Sequence, residues 1–422
     1  MTRVAALFAA IACVIGAAAQ SPAPTPSAKK TTKKTAKKAR RPAVAPVSPA
    51  QRAAARKEIE EKVGALPPGF ENPAALAKYF AALHQLQTAG PPVHIVQFGD
   101  SHTASDDWVN AMRAAAQAHY GDGGPGFIQA GHPYRGYRRF DAAGTNSPGW
   151  KTQGTMSLRG DAYQGFSGIS LSTQSPGQTI SLTASGELLD VFYLRQPGGG
   201  QVQLTADGEP AGTFSTDGDT GPGHYELTLP PGSHQLVLRT LNFAPVRLFG
   251  WTFDNRQGVT FETLGINGSQ AHVILSWDEQ LWADELTRRA PALVIVAYGT
   301  NEANSHLWTA DQYRADLTAL IDRIKRAAPS ASILMIGPPD CGRLKPLLHL
   351  SEVIDTQREV AAQVGAAFWD WRQHMGGPGI VKRWVTAGLA QTDYIHLTSE
   401  GYRMLGQYIF DQLETAAGNA TE

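Results

Sequence analysis

Cysteine is nearly absent from this chain: 422 residues contain two, Cys13 and Cys341. Cys13 lies in the N-terminal leader, so once that leader is cleaved one thiol remains and no intramolecular disulfide can form. The fold must then rest on its core, which a chain of this length can supply. One cysteine cannot make a thiolate metal site, and the twelve histidines show no H-E-x-x-H pair, so no metal is expected. Net charge is missing as well. Thirty-seven basic residues balance 37 acidic ones, but nine of the basic ones fall in the first 41 positions, where there is no acid. The rest of the chain is mildly acidic, which argues against a nucleic-acid-binding body. Long apolar runs are also lacking. The first 20 residues, MTRVAALFAAIACVIGAAAQ, carry one Arg before an apolar stretch too short for a comfortable membrane span.

That leader has the form of a secretory signal peptide over residues 1–19, with Ala17 and Ala19 supplying the small side chains of the cleavage site. The expected location is therefore the periplasm or the exterior. An uncleaved anchor and a lipoprotein signal ending at Cys13 are the alternatives, the latter weakened by Ala10 where a lipobox usually has Leu. Residues 20–50 are Pro, Ala, Thr and Lys, including KKTTKKTAKKARRP. Such a segment has almost nothing large and apolar to bury and is expected to be a disordered tether. It serves as a solvated spacer, or else as an electrostatic contact with an anionic envelope polymer or lipid surface.

From residue 51 the composition becomes that of a folded domain. After the helical patterns AARKEIEEKVGAL and PAALAKYFAALHQL, short apolar runs (HIVQFG, ALVIVAYG, SILMIGP, AAFWDW) alternate with amphipathic segments such as DQYRADLTALIDRIKRAA. Strands without polar alternation fit a parallel sheet covered on both faces, hence an open, doubly wound α/β domain. Between about Gly165 and Asn255 the period changes to two residues. Six short strands (QTISLTAS, DVFYLRQ, QVQLTAD, HYELTLP, HQLVLRTL, VRLFGWTF), separated by Gly and Pro turns, predict an antiparallel β-sandwich. The α/β pattern then resumes, so the sandwich is an insertion. The expected division is 51–150 and 258–418 for a discontinuous α/β domain, with the insert at 160–257.

Four short segments carry candidate chemistry. VHIVQFGDSHTASDDW brings Ser101 to the carboxyl end of a strand, where sites form in doubly wound sheets; either Asp100 or Ser101 can also simply cap the next helix. In ETLGINGSQA, Asn267-Gly268 is a turn dipeptide, and a glycine there can also donate its N–H to an oxyanion. In IVAYGTNEAN, Asn301 either caps a helix or donates to a developing negative oxygen, a donor whose loss costs roughly 3 kcal/mol of transition-state stabilisation. In TDYIHLTSEGYRML, Asp393 and His396 lie three apart before the last helix, a spacing that lets an acid orient an imidazole. PYRGYRRF offers Arg135, Arg138 and Arg139 among aromatics, either as a surface loop or as a contact to an anionic or sugar substrate. Gly121 to Gly126 spells G-x-G-x-x-G, but it follows a helix pattern, contains Pro125 and opens no helix. A dinucleotide site is rejected, and no cofactor is expected.

Taken together and in this order, FGDSH, GINGS, GTNE and DYIH resemble the blocks of the SGNH/GDSL hydrolase superfamily. The resemblance implies a flavodoxin-like three-layer α/β/α fold and ester chemistry by a Ser101, Asp393, His396 triad. It also implies an oxyanion hole made by the backbone N–H groups of Ser101 and Gly268 and the side chain of Asn301. Two positions depart from the pattern: His102 replaces the Leu of GDSL, and Glu302 stands where a GxND block has Asp. GDSHT, the glycine-rich run Gly123 to Phe127, GTNE and the insert are most similar to bacterial peptidoglycan O-acetylesterases, over roughly Val93 to Tyr408. The resemblance implies an acetylated glycan as partner and a carbohydrate-binding-module-like insert. The expectation is an exported esterase that deacetylates a cell-wall glycan. An O-acetyltransferase, an esterase for another exopolysaccharide and a non-catalytic glycan-binding protein remain open alternatives.

Overall fold

A computed structural model describes residues 47–64, 69–88, 90–342, 345 and 347–419. The expected signal peptide, Cys13 and the tether up to Pro46 lie outside the described residues. No helix among the described residues is long and apolar enough to cross a membrane.

Five parallel strands form the central sheet, numbered here in chain order: β1 (Val93–Gly99), β2 (Val259–Gly265), β3 (Leu293–Ala297), β4 (Ser332–Ile336) and β5 (Ala367–Trp369). Their spatial order is β2-β1-β3-β4-β5. This is the flavodoxin-like order, whose switch point lies between the first and third strands. Because the strands are buried on both faces, their period-two alternation feeds two cores. Val93, Ile95, Val259 and Phe261 join the helices Pro49–Gly64, Ala77–Gln87, Asp107–Tyr120 and Ser399–Asn419. Val96, Phe98, Leu264 and Val296 face the helices Glu279–Arg289, Ala310–Ala327 and Leu350–Val364. Each fully buried aliphatic or aromatic side chain contributes about 1.5–3 kcal/mol, and dozens lie in these layers. Cys341 is buried among them as a free thiol.

The insert is a nine-stranded antiparallel sheet folded on itself. It differs from expectation in two ways. It begins at Gly126, upstream of residue 160, because the short strands Gly126–Gln129, Ala143–Asn146 and Lys151–Gln153 pair onto its edges. The pairs QTISLTAS/DVFYLRQ and HYELTLP/HQLVLRTL are not separate strands but the halves of two long ones, Thr179–Arg195 and Gly221–Thr240. These run side by side with a register shift between Gly186 and Leu188, opposite Pro230 and Pro231. Prolines cannot donate to a ladder, so both strands bend there together without ending. The two halves enclose one core that includes Ile180, Leu182, Val191, Leu236 and Trp251.

Candidate active site

The carboxyl ends of β1, β2 and β3 gather the candidate residues. β1 ends at Gly99, and the four-residue helix Ser101–Ala104 follows at once. Asp100 takes the capping role: its carboxylate accepts the His102 N–H at 2.9 Å. The Ser101 hydroxyl is thereby left to a different partner, His396 Nε2, at 2.9 Å. The short helix fits only because Gly265, at the end of β2, has no Cβ; one there would collide with the backbone of Ala104.

On the far side of Ser101, the loop before the last helix is set by Asp393. Its Oδ1 accepts the N–H groups of Ile395 and His396, at 2.9 and 3.1 Å, while Oδ2 lies 2.8 Å from His396 Nδ1. Tyr394 adopts a left-handed backbone, φ 61°, to close this turn. Partial burial alone would raise the Asp393 pKa, but the imidazole and the two backbone donors outweigh it and hold the carboxylate below its usual range. Ser101, His396 and Asp393 therefore form an unbroken hydroxyl–imidazole–carboxylate relay. Such a relay can pass a proton from the hydroxyl to Nε2 while the carboxylate stabilises the cation formed.

Opposite the imidazole lie the donors. Gly268 sits at φ 79° in the Asn267-Gly268 turn, closed by the Ser269 N–H to the Ile266 carbonyl at 3.0 Å. Among the described residues, the backbone N–H groups of Ser101 and Gly268 have no protein acceptor. Asn301 is held by its Nδ2, which donates to the Ser269 carbonyl at 2.9 Å and sits 3.5 Å from Asp100 Oδ2. Two further bonds lace these segments: Gln270 Nε2 to the Asn301 carbonyl at 3.1 Å, and the Ala271 N–H to Glu302 Oε1 at 2.8 Å. Glu302 is thus a buried tie between the second and third motifs. Burial pushes its pKa up to about 7 and that of Asp100 up to about 8.

His102 points away from solvent, with Nδ1 2.7 Å from the Tyr402 hydroxyl and its ring 5.3 Å from that of His396. Burial, then the neighbouring His396, lowers its pKa to about 3. It is a neutral packing partner that adds no positive charge behind the relay. Neither this nor the Glu302 tie is visible in the motifs.

A cavity of about 250 Å³ opens over Ser101, lined by Ser105, Asn267, Gln391, His396 and Ser399 and, from the insert, Gly136 and Arg138. Met156, also from the insert, lies beside Gly268. Loops of the insert therefore approach both Ser101 and Gly268, and no sequence signal marked these contacts except the arginine-rich PYRGYRRF. No group of three or more His, Cys, Asp or Glu among the described residues is arranged to hold a metal ion.

A model of the GDSL-like lipase/acylhydrolase family matches residues 239–404. The match takes in Gly268, Asn301, Asp393 and His396, and leaves Ser101 beyond the insert. A solved structure described as "Peptidoglycan O-acetylesterase in action, 5 min" is 28% identical over 81% of this chain and 96% of that one, with a TM-score of 0.70. Two others are matched much more loosely. A family two carbohydrate esterase from Clostridium thermocellum with cellohexaose has 13% identity, 59% and 95% coverage and a TM-score of 0.30. An acetyl xylan esterase from the rumen bacterium Butyrivibrio proteoclasticus has 10% identity, 65% and 99% coverage and a TM-score of 0.29. Neither carries weight here. Among curated proteins no sequence match is found. The ordered motifs, the parallel sheet and both of the stronger matches agree: over residues 239–404 the chain is similar to GDSL-like acylhydrolases, and in fold to a peptidoglycan O-acetylesterase.

Proposed function

We propose that this chain is an exported carbohydrate esterase that removes O-acetyl groups from a cell-wall glycan, foremost peptidoglycan. The observation that carries the reading is the relay from Ser101 through His396 to Asp393, facing two backbone donors that no group among the described residues occupies. In the proposed reaction His396 Nε2 takes the Ser101 proton as Oγ attacks the acetyl carbonyl. Asp393 steadies the imidazolium. The N–H groups of Ser101 and Gly268 receive the oxyanion, and the Asn301 amide joins as third donor by giving up its 3.5 Å contact with Asp100 Oδ2. His396 then protonates the departing sugar oxygen, leaving an acetyl-enzyme that water converts to acetate.

The acyl group is small in this reading, because polar and charged side chains line most of the cavity and only Ala104 and Leu397 add aliphatic ones. A long acyl chain would find little surface to bury against. The glycan assignment is supported by the structural relative described as a peptidoglycan O-acetylesterase and by insert loops flanking Ser101. Export is supported by the signal-like leader.

Acetate release from O-acetylated peptidoglycan by the mature protein tests the proposal, beside Ser101→Ala and with acetylated xylan as competitor. Release that needs Ser101 and favours peptidoglycan is expected. Equal release by the alanine variant would refute the mechanism, preference for xylan would refute the substrate, and acetylation of an added glycan without matching acetate would make the enzyme a transferase.

A further inference from the structure

The three arginines of PYRGYRRF have three different fates. Arg139 is buried, with side-chain exposure of 2%, where it binds Asp141 and the carbonyls of Pro125 and Phe127. Arg135 is exposed, with no ionic partner among the described residues. Arg138 does neither. It lines the cavity over Ser101, its side chain 54% exposed, and among the described residues only its Nη1 is engaged, by Asp107 Oδ2 at 3.2 Å.

An exposed arginine paired with a carboxylate is usually a solvated surface contact of little energetic consequence. Two features set this one apart. Asp107 is 4% exposed and belongs to the helix that follows the Ser101 segment, so it fixes one edge of the guanidinium to the scaffold. The Nε and Nη2 donors then remain as a side-on fork, the geometry that accepts a carboxylate through two parallel bonds. Among the described residues, Arg138 is also the one permanent cation lining the cavity, beside Ser101, Ser105, Asn267, Gln391 and Ser399. The pair with Asp107 is neutral overall, so the fork selects by directed hydrogen bonds and not by a diffuse field.

We infer that Arg138 is a specificity-determining residue that binds a carboxylate on the sugar bearing the scissile ester, so the preferred substrate class is an acidic acetylated glycan. The inference deepens the glycan esterase reading and rests on it. A lactyl-substituted amino sugar whose carboxyl is not taken up in a peptide bond carries such a group within the span of one ring.

The test uses competitive inhibition of 4-nitrophenyl acetate turnover, which requires no glycan to be a substrate. The probes are N-acetylmuramic acid and its methyl ester, compared through the ratio of their inhibition constants. In the wild-type protein the acid is expected to bind about tenfold or more tightly than the ester, as befits charge-assisted bonds. The ratio should collapse towards one in Arg138→Ala, lie between in Arg138→Lys, which keeps the charge without the fork, and be retained in Arg135→Ala. Equal inhibition by acid and ester in the wild type would overturn the inference, and so would a ratio that survives Arg138→Ala. If the ratio behaves as expected while peptidoglycan yields no acetate, the carboxylate fork stands and the peptidoglycan assignment alone falls.

Discussion

Asp393 divides its two oxygens between backbone and imidazole, so a substitution can separate the two tasks. Asparagine keeps an acceptor for the N–H groups of Ile395 and His396 but presents an amide to Nδ1, which favours the wrong tautomer. Asp393→Asn is expected to lower kcat on 4-nitrophenyl acetate by about 10²–10⁴-fold, with a thermal melt close to wild type. Glu302 offers a second separation. Glu302→Gln retains an acceptor for the Ala271 N–H and should change kcat little. Glu302→Ala unties the Gly268 turn from Asn301 and should cost about 1–3 kcal/mol in kcat/KM or stability. Equal effects of the two variants would contradict a positioning role. At this scale the relay was legible because Asp393 and His396 are neighbours in sequence and Ser101 ends an unmistakable buried strand. The division of labour among Arg135, Arg138 and Arg139 was not. Three arginines in one loop look alike until the packing shows which is buried and which lines the cavity.

Between elements, fit depends on what is left out. Gly265 admits the helix carrying Ser101, and Gly265→Ala would force backbone against backbone at Ala104. The expected outcome is a loss of about 1–3 kcal/mol in stability together with a lower kcat, read by denaturant titration and turnover. A different contact makes stability depend on pH. Glu285, on the helix Glu279–Arg289, accepts the N–H of Phe166 from the insert at 2.6 Å, while its other oxygen has no partner. Burial pushes its pKa up to about 8, against the opposing backbone bond. The folded state therefore holds a proton that the unfolded state releases at ordinary carboxylate pH. Stability from this group is complete below that range and is lost as pH rises through about 8. Glu285→Gln should show a shallower fall in Tm between pH 5 and pH 8.5 than the wild type, and parallel curves would refute the assignment. The central strands could be read from sequence because each is apolar on both faces. The ends of the long sandwich strands could not, because a bend that two strands make together looks in sequence like a turn between two short ones.

Across the whole folded body, the insert has a core of its own but is not a separable appendage. Phe127, Phe166, Phe192 and Phe249 from the insert share a cluster with Phe98 on β1 and Trp282 on the Glu279–Arg289 helix. One calorimetric transition with matching van't Hoff and calorimetric enthalpies is expected for residues 47–422, and two resolved transitions would show that the shared cluster does not couple them. The sequence announced an insertion through its change of period, yet it placed the boundary too late, because the strands at Gly126, Ala143 and Lys151 are too short to carry a period of their own.

The sheet order has a temporal consequence. β1 stands between β2 and β3, and both are made only after the whole insert. A chain emerging end-first, from a ribosome or through a pore, presents the strand that leads to Ser101 with no neighbour on either side until Val259–Gly265 has appeared, and with one side still open until Ala297. Pairings this distant in sequence form slowly. The nascent half is then a bare apolar strand open to wrong partners, and the relay of Ser101, His396 and Asp393 can assemble only once nearly the entire polypeptide has arrived.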